Sequence, residues 1–128
     1  MECKEVREFT KACNENLPNN PVLMTKEEKE FIIRMVNDEA DELREAETVV
    51  DQADALVDII YYVLDFSIRK GINLDPLFKI VHEANMAKIV NGKVIRREDG
   101  KILKPDGWKP PEPALEKEVE RQLRDGAF

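Results

Sequence analysis

The stretch NDEADELREAE, Asn37 to Glu47, decides how this chain folds. Just before it, Phe31, Ile32, Met35 and Val36 set an apolar rhythm of helical period. The rhythm asks for an apolar side chain at position 39, and the chain supplies Glu39. On a wheel of about 100° per residue, Ile32, Met35, Val36, Leu43 and Ala46 share one stripe, with Glu39 near its centre and Glu42 on its flank. Asp41 and Glu45 turn outward. Residues three apart are neighbours on a helix surface, so Glu39 and Glu42 project inward together. A buried carboxylate without a partner is costly and calls for a cation, a metal or a proton. An ion pair or a wet bundle edge would also accommodate the pair.

The flanks fix the helices. Thr25 and Glu28 form a capping-box signature ahead of a helix from about Lys26 to about Glu47. A second long helix is expected from about Val50 to Lys70, with Gly71 as the residue that stops it. Asp75 and Pro76 open another, as N-cap and first-turn proline, running to about Val90. Residues 2–15 read as a short helix with Val6, Phe9, Thr10 and Cys13 on one face. After Asn91-Gly92 the period changes. KVIRREDGKILKP reads as two short strands around an Asp99-Gly100 turn. A proline-rich segment and a charged helix at 113–124 follow. The expectation is one all-α domain over 1–128: a helical bundle at about 25–90, a hairpin or extended arm at about 91–112 and a peripheral last helix.

The helix after position 48 sharpens the chemistry. Asp51, Asp54, Asp58 and Asp65 fall within an arc of roughly 60° at helical spacing. Most other positions on this helix are apolar, and a helix apolar all round is expected to be buried. No Lys or Arg stands between Thr48 and Ile68 to pair with the acids. Two acidic seams facing each other suit a hard divalent cation, Mg²⁺ or Mn²⁺, and Mg²⁺ commonly brings phosphate oxygens with it. A solvent-facing acidic strip is the plainer alternative.

The next helix carries the complement. Lys88 can neutralise a phosphate, and Asn85, three residues earlier, can contact a ribose, a base or a water. His82 reads as structural, and Glu83 is a further candidate. Lys93, Arg96, Arg97, Lys101, Lys104 and Lys109 make a basic cluster that could close over a polyphosphate. Trp108 could stack on a base or pack the arm onto the bundle.

A net charge of −7 argues against binding a nucleic-acid polymer, which needs a basic face. No apolar run approaches the ~18 residues of a membrane span, and the first residues lack a signal-peptide core. Cys3 and Cys13, about 15 Å apart on one helix by rise alone, are too distant for a disulfide and read as reduced thiols of a cytoplasmic protein.

Glu39-x-x-Glu42 followed by an aspartate-bearing helix resembles the all-α nucleoside triphosphate pyrophosphohydrolases of the MazG type. ADALVDIIYYV, HEANMAKI and REDGKILKPDGWKPP together look like the phosphoribosyl-ATP pyrophosphohydrolase-like branch, over roughly residues 27–111. The resemblance implies a four-helix bundle completed by dimerisation, as a homodimer or homotetramer. It implies Mg²⁺-dependent hydrolysis between the α- and β-phosphates of a nucleotide, giving a monophosphate and pyrophosphate. The family's metal ligands match Glu39, Glu42 and Asp58. Its usual Glu three residues before that Asp is Ala55 here, so Asp54 is expected to take the role. Glu39, Glu42 and Glu45 are the expected catalytic acids. Asn85, Lys88, Lys93, Arg97, Lys104 and Trp108 are the expected substrate contacts. Phosphoribosyl-ATP is an alternative substrate, and a non-enzymatic nucleotide- or partner-binding dimer an alternative role.

Overall fold

The computed structural model describes residues 3–14 and 16–128. It is all-α, with α1 (Cys3–Cys13), α2 (Lys26–Glu45), α3 (Val49–Arg69), α4 (Leu74–Met86) and α5 (Glu112–Asp125). Positions 2 and 15, at the ends of the expected first helix, lie outside the described residues. The capping box forms: Thr25 Oγ1 accepts from Glu28 N–H at 3.1 Å, and Glu28 Oε1 accepts from Thr25 N–H at 2.9 Å. Three residues later along the chain the apolar stripe begins, so α2 starts where the sequence says it must.

Glu28 meets Lys70, Phe31 stacks near Phe66, and Glu39 lies beside Asp58. The numbers rise on α2 as they fall on α3, which makes the two an antiparallel hairpin. At its far end α3 stops at Gly71, whose φ of 67° is the left-handed region glycine tolerates. Ile72 N–H reaches Ser67 C=O at 2.9 Å and Gly71 N–H reaches Ile68 C=O at 3.0 Å, the double closure of a Schellman end.

α1 lies on α3 and supplies half of a small core. Cys3 and Val6 pack with Leu64 and Ile68, and Leu17 and Leu74 close the edges. The buried face of α1 is therefore Cys3, Val6 and Thr10, not the expected Val6-Phe9-Thr10-Cys13 set. The helix is rotated by its contact with α3, which leaves Phe9 more than half exposed and Cys13 exposed. Alkylation should discriminate the two thiols. Burial and the neighbouring Asp75 push the Cys3 thiol up to about 11, so it stays a protonated, unreactive thiol. Intact-mass measurement after a brief treatment of native protein should show Cys13 modified and Cys3 spared.

α3 corrects the expectation of full burial. Only Ala55 and the run Leu64 to Ile68 are buried on it. Leu56, Val57 and Ile60 are each about half exposed. Beside them, Ile59, Ile60, Val63, Leu77, Phe78 and Val81 line a wholly apolar groove of about 380 Å³ between α3 and α4.

α4 begins two residues earlier than its proline suggests. Asn73 is the N-cap, its Oδ1 accepting from Asp75 N–H at 3.0 Å, so Asp75 sits inside the first turn. The helix ends at Met86 rather than near Val90. Val90 and Lys93 exchange backbone hydrogen bonds across Asn91-Gly92, both at positive φ, and that tight turn pulls the chain out of helix. The Asp99-Gly100 turn also forms, with Arg97 N–H to Lys101 C=O at 2.7 Å. Its flanks give one bridge, Arg96 to Ile102, and no strand exists among the described residues. A lone two-stranded ribbon is marginal in water.

α5 returns to α4. Gln122 is completely buried. Its Oε1 accepts from Asn73 N–H and its Nε2 donates to Asn73 C=O, both at 3.0 Å. Asn73 Nδ2 donates to Ala127 C=O, and Ala127 N–H donates to Asn19 C=O. A single glutamine thus satisfies both backbone groups at the start of α4.

The Lys70–Glu28 pair ties the ends of the hairpin together at 2.9 Å. The Thr25 N–H first, and then the Lys70 ammonium, hold the Glu28 carboxyl below the usual glutamate range. A carboxyl with a depressed folded pKa contributes stability that is present above the ordinary glutamate value and is lost as pH falls through its folded value. Glu28→Gln should therefore melt earlier than the parent at neutral pH, and the gap should close in strong acid.

Candidate metal centre and substrate cleft

Glu39, Glu42 and Asp58 each place a carboxylate oxygen within 4.8 Å of the other two. α2 supplies the first two from adjacent turns and α3 the third, across the hairpin. Glu39 Oε2 is buried with no hydrogen-bond partner among the described residues. Burial first, then the Glu42 carboxyl beside it, then the charges of Asp58 and Asp54, push the Glu39 carboxyl above the usual glutamate range. Three acids that repel one another, one of them with an orphaned oxygen, form a donor set fitted to a hard divalent cation.

The other expected acids sit apart from the three. Asp54 adds its field to Glu39 but is exposed and outside the close cluster. Ala55, at the position where the resemblance implies a Glu in other members, is buried at 2% exposure. Glu45 is exposed in the last turn of α2. Asp65 shares the face of Asp58 but stands outside the close cluster, with partners of its own. Its Oδ1 accepts from the Thr10 hydroxyl at 2.6 Å, and its Oδ2 lies 3.1 Å from Arg69 Nε. The partner that the seam lacked up to Ile68 is the very next residue.

Beside the acids opens a cleft of about 330 Å³. Glu39 and Asp58 line one part of it, Phe9, Tyr61 and Tyr62 another, and Asp65 and Arg69 the rest. Phe9 meets Tyr61 edge-on, ring centroids 5.8 Å apart. The aromatic wall and Arg69 were not among the residues expected from sequence. The signal for three of them was present: Tyr61, Tyr62 and Arg69 continue the stripe of Asp58 at helical spacing. Phe9 had none, since it depends on how α1 docks.

The family model described as phosphoribosyl-ATP pyrophosphohydrolase matches residues 6–85, from α1 to nearly the end of α4. The chain belongs to this family. The phosphoribosyl-ATP pyrophosphohydrolase family lies within the MazG-like nucleoside triphosphate pyrophosphohydrolases, so the chain is of a pyrophosphohydrolase kind. No curated protein matches the chain. The matched span holds all three clustered acids and the whole cleft, and it stops before the arm.

The expected substrate contacts gather elsewhere. Lys88 Nζ donates to Asn85 Oδ1 at 3.1 Å. Lys88 and Lys104 stand over the Trp108 ring at 5.3 and 5.0 Å from its centroid, and Trp108 Nε1 donates to Ala84 C=O at 2.7 Å. The indole therefore pins the arm to α4. Arg97 pairs with Asp99, and Lys93 is exposed at the Asn91-Gly92 turn. None of these six lines the acidic cleft. No described helix is long and apolar enough to cross a membrane.

Proposed function

We propose that the chain is a cytoplasmic, Mg²⁺-dependent nucleotide pyrophosphohydrolase that splits the α–β anhydride of a (deoxy)nucleoside triphosphate into a monophosphate and pyrophosphate. The observation that carries this reading is the Glu39–Glu42–Asp58 cluster with its orphaned Glu39 oxygen, inside the span matched by a pyrophosphohydrolase family. Glu39, Glu42 and Asp58 would hold Mg²⁺, or Mn²⁺ in its place, with Asp54 adding negative field. When bound, the ion neutralises phosphate oxygens and makes water a better nucleophile. Glu42, exposed on one edge, or Glu45 one turn on, takes the proton from the attacking water. Phe9, Tyr61 and Tyr62 offer ring faces to the base.

Two identical copies complete the site. The apolar groove and the bare face of α3 need a cover, and the phosphate-binding cations Lys88, Lys93, Arg97 and Lys104, with Asn85 and Trp108, lie outside this copy's cleft. A second chain supplies both. Phosphoribosyl-ATP is the second reading for substrate, favoured by the family description itself.

The test is pyrophosphate release from canonical and modified nucleoside triphosphates and phosphoribosyl-ATP, with Mg²⁺, Mn²⁺ or chelator. Metal-dependent release with the matching monophosphate supports the reading and names the substrate. Silence across the panel from folded, dimeric protein would move the chain to a non-enzymatic binding role.

A further inference from the structure

Along α3 the cleft-lining residues follow one stripe: Asp58, then Tyr61 and Tyr62, then Asp65 and Arg69. Asp58 belongs to the acid cluster that, on the nucleotide reading above, would face the phosphate end of the substrate. The aromatic pair comes next, and Arg69 last. At 1.5 Å rise per residue, Arg69 starts about 16 Å beyond Asp58. Helical side chains lean back toward the N-terminus, which brings its guanidinium to the level of Asp65. Phosphate end, ring and far edge of a nucleotide thus map in order onto acid, aromatic and guanidinium.

Arg69 is the only basic side chain lining the cleft among the described residues. It is charge-compensated but not hydrogen-bonded. Nε stands 3.1 Å from Asp65 Oδ2, yet this buried N–H is not aligned on any acceptor among the described residues. The side chain is 39% exposed, Asp65 12%. Asp65 is itself fixed by the hydroxyl of Thr10, which is fully buried between α1 and α3. A purely structural ion pair would close on itself inside that packing. This one has a buried Nε, a guanidinium carbon 6.0 Å from the Phe66 ring centroid, and a partly exposed side chain that lines the cleft.

We propose that Arg69 is a specificity-determining residue that donates to an oxygen acceptor at the base end of the substrate, remote from the α–β anhydride. Asp65 and Thr10 are positioning residues that hold its plane. The acceptor is a ring carbonyl or a second phosphate, and the two differ in which ligand loses affinity. This inference rests on the nucleotide reading above.

The experiment is calorimetric binding of products to the full chain with Mg²⁺. The probes are inorganic pyrophosphate, AMP, GMP, UMP and phosphoribosyl-AMP. Arg69→Met should weaken either the carbonyl-bearing GMP and UMP or phosphoribosyl-AMP by about tenfold or more, the scale of a hydrogen bond to a charged group. AMP and pyrophosphate should bind as before. Thr10→Val, which keeps Arg69 but frees Asp65, should reproduce a smaller, equally selective loss. Because Arg69→Met strands Asp65, the double variant Asp65→Asn/Arg69→Met is measured beside it. It should melt close to the parent and keep the selective defect. A loss shared equally by all probes, or no loss at all, overturns the role of Arg69 while leaving the nucleotide reading intact. Failure of the parent chain to bind any probe overturns the nucleotide reading and this inference with it.

Discussion

Replacing Glu39 by Gln should remove pyrophosphate release by about a hundredfold or more, since a metal lost from phosphoryl chemistry is worth several kcal/mol. The same variant should make the metal-free chain more stable. Glu39 is pushed above the ordinary glutamate range, so its folded form binds a proton more tightly than its unfolded form. Its burden is absent at low pH, grows as pH rises past the ordinary glutamate value, and is full above the folded value. Gln carries no such charge. In chelator at neutral pH, Glu39→Gln should melt above the parent, and in acid the two should converge. Mg²⁺ should raise the parent's melting temperature, as any ligand of the native state does, and should barely move the variant. Scanning calorimetry with and without Mg²⁺ reads all of this. Full turnover in Glu39→Gln would falsify the assignment of the centre.

Gln122→Leu should cost about 2 to 4 kcal/mol of stability, with no loss of activity per folded molecule at low temperature. Leucine fills similar volume but leaves Asn73 N–H and C=O without partners, each worth roughly 1 to 3 kcal/mol when unmade. For a domain of this size the melting temperature should fall by about 10 °C. Gln122→Glu separates shape from hydrogen bonding. A carboxylate still accepts from Asn73 N–H but cannot donate to Asn73 C=O, and it faces Glu118, whose Oε1 now accepts from Gln122 Nε2 at 3.1 Å. That variant should be destabilised at neutral pH and partly recovered in acid. If both variants melted with the parent, the glutamine would not be what holds α5 to α4.

The sequence announced its helices through local chemistry. Thr25 with Glu28 and the glycine at 71 act within a turn or two, and the structure uses them as expected. Glu39 and Glu42 were legible because a carboxylate interrupts an apolar period, whereas the facing helix offered Asp51, Asp54, Asp58 and Asp65 alike and only the family resemblance singled out Asp58. What stayed hidden depends on docking. The pairing of Asp65 with Thr10 requires knowing that α1 lies on α3, fifty-five residues away in sequence. Phe9 and Gln122 are ordinary residues in their own helices and become informative only when a second element meets them. The arm misled for a different reason: its turn residues demand turns, and they form, but turn chemistry alone does not extend a ribbon into strands.

The closure made by α5 joins residues far apart along the chain. Asn73 meets Gln122 forty-nine positions on, and Asn20 Nδ2 meets the carbonyl of Leu123 across 103. Contacts of such separation form late, after the shorter loops have closed. During synthesis, α1 to α4 emerge and can pair while the start of α4 still lacks its glutamine. The nascent chain therefore passes through an interval in which the hairpin and its acids can exist while the start of α4 still lacks the partner of its backbone groups. The length of that interval scales with the time needed to synthesise residues 74–122.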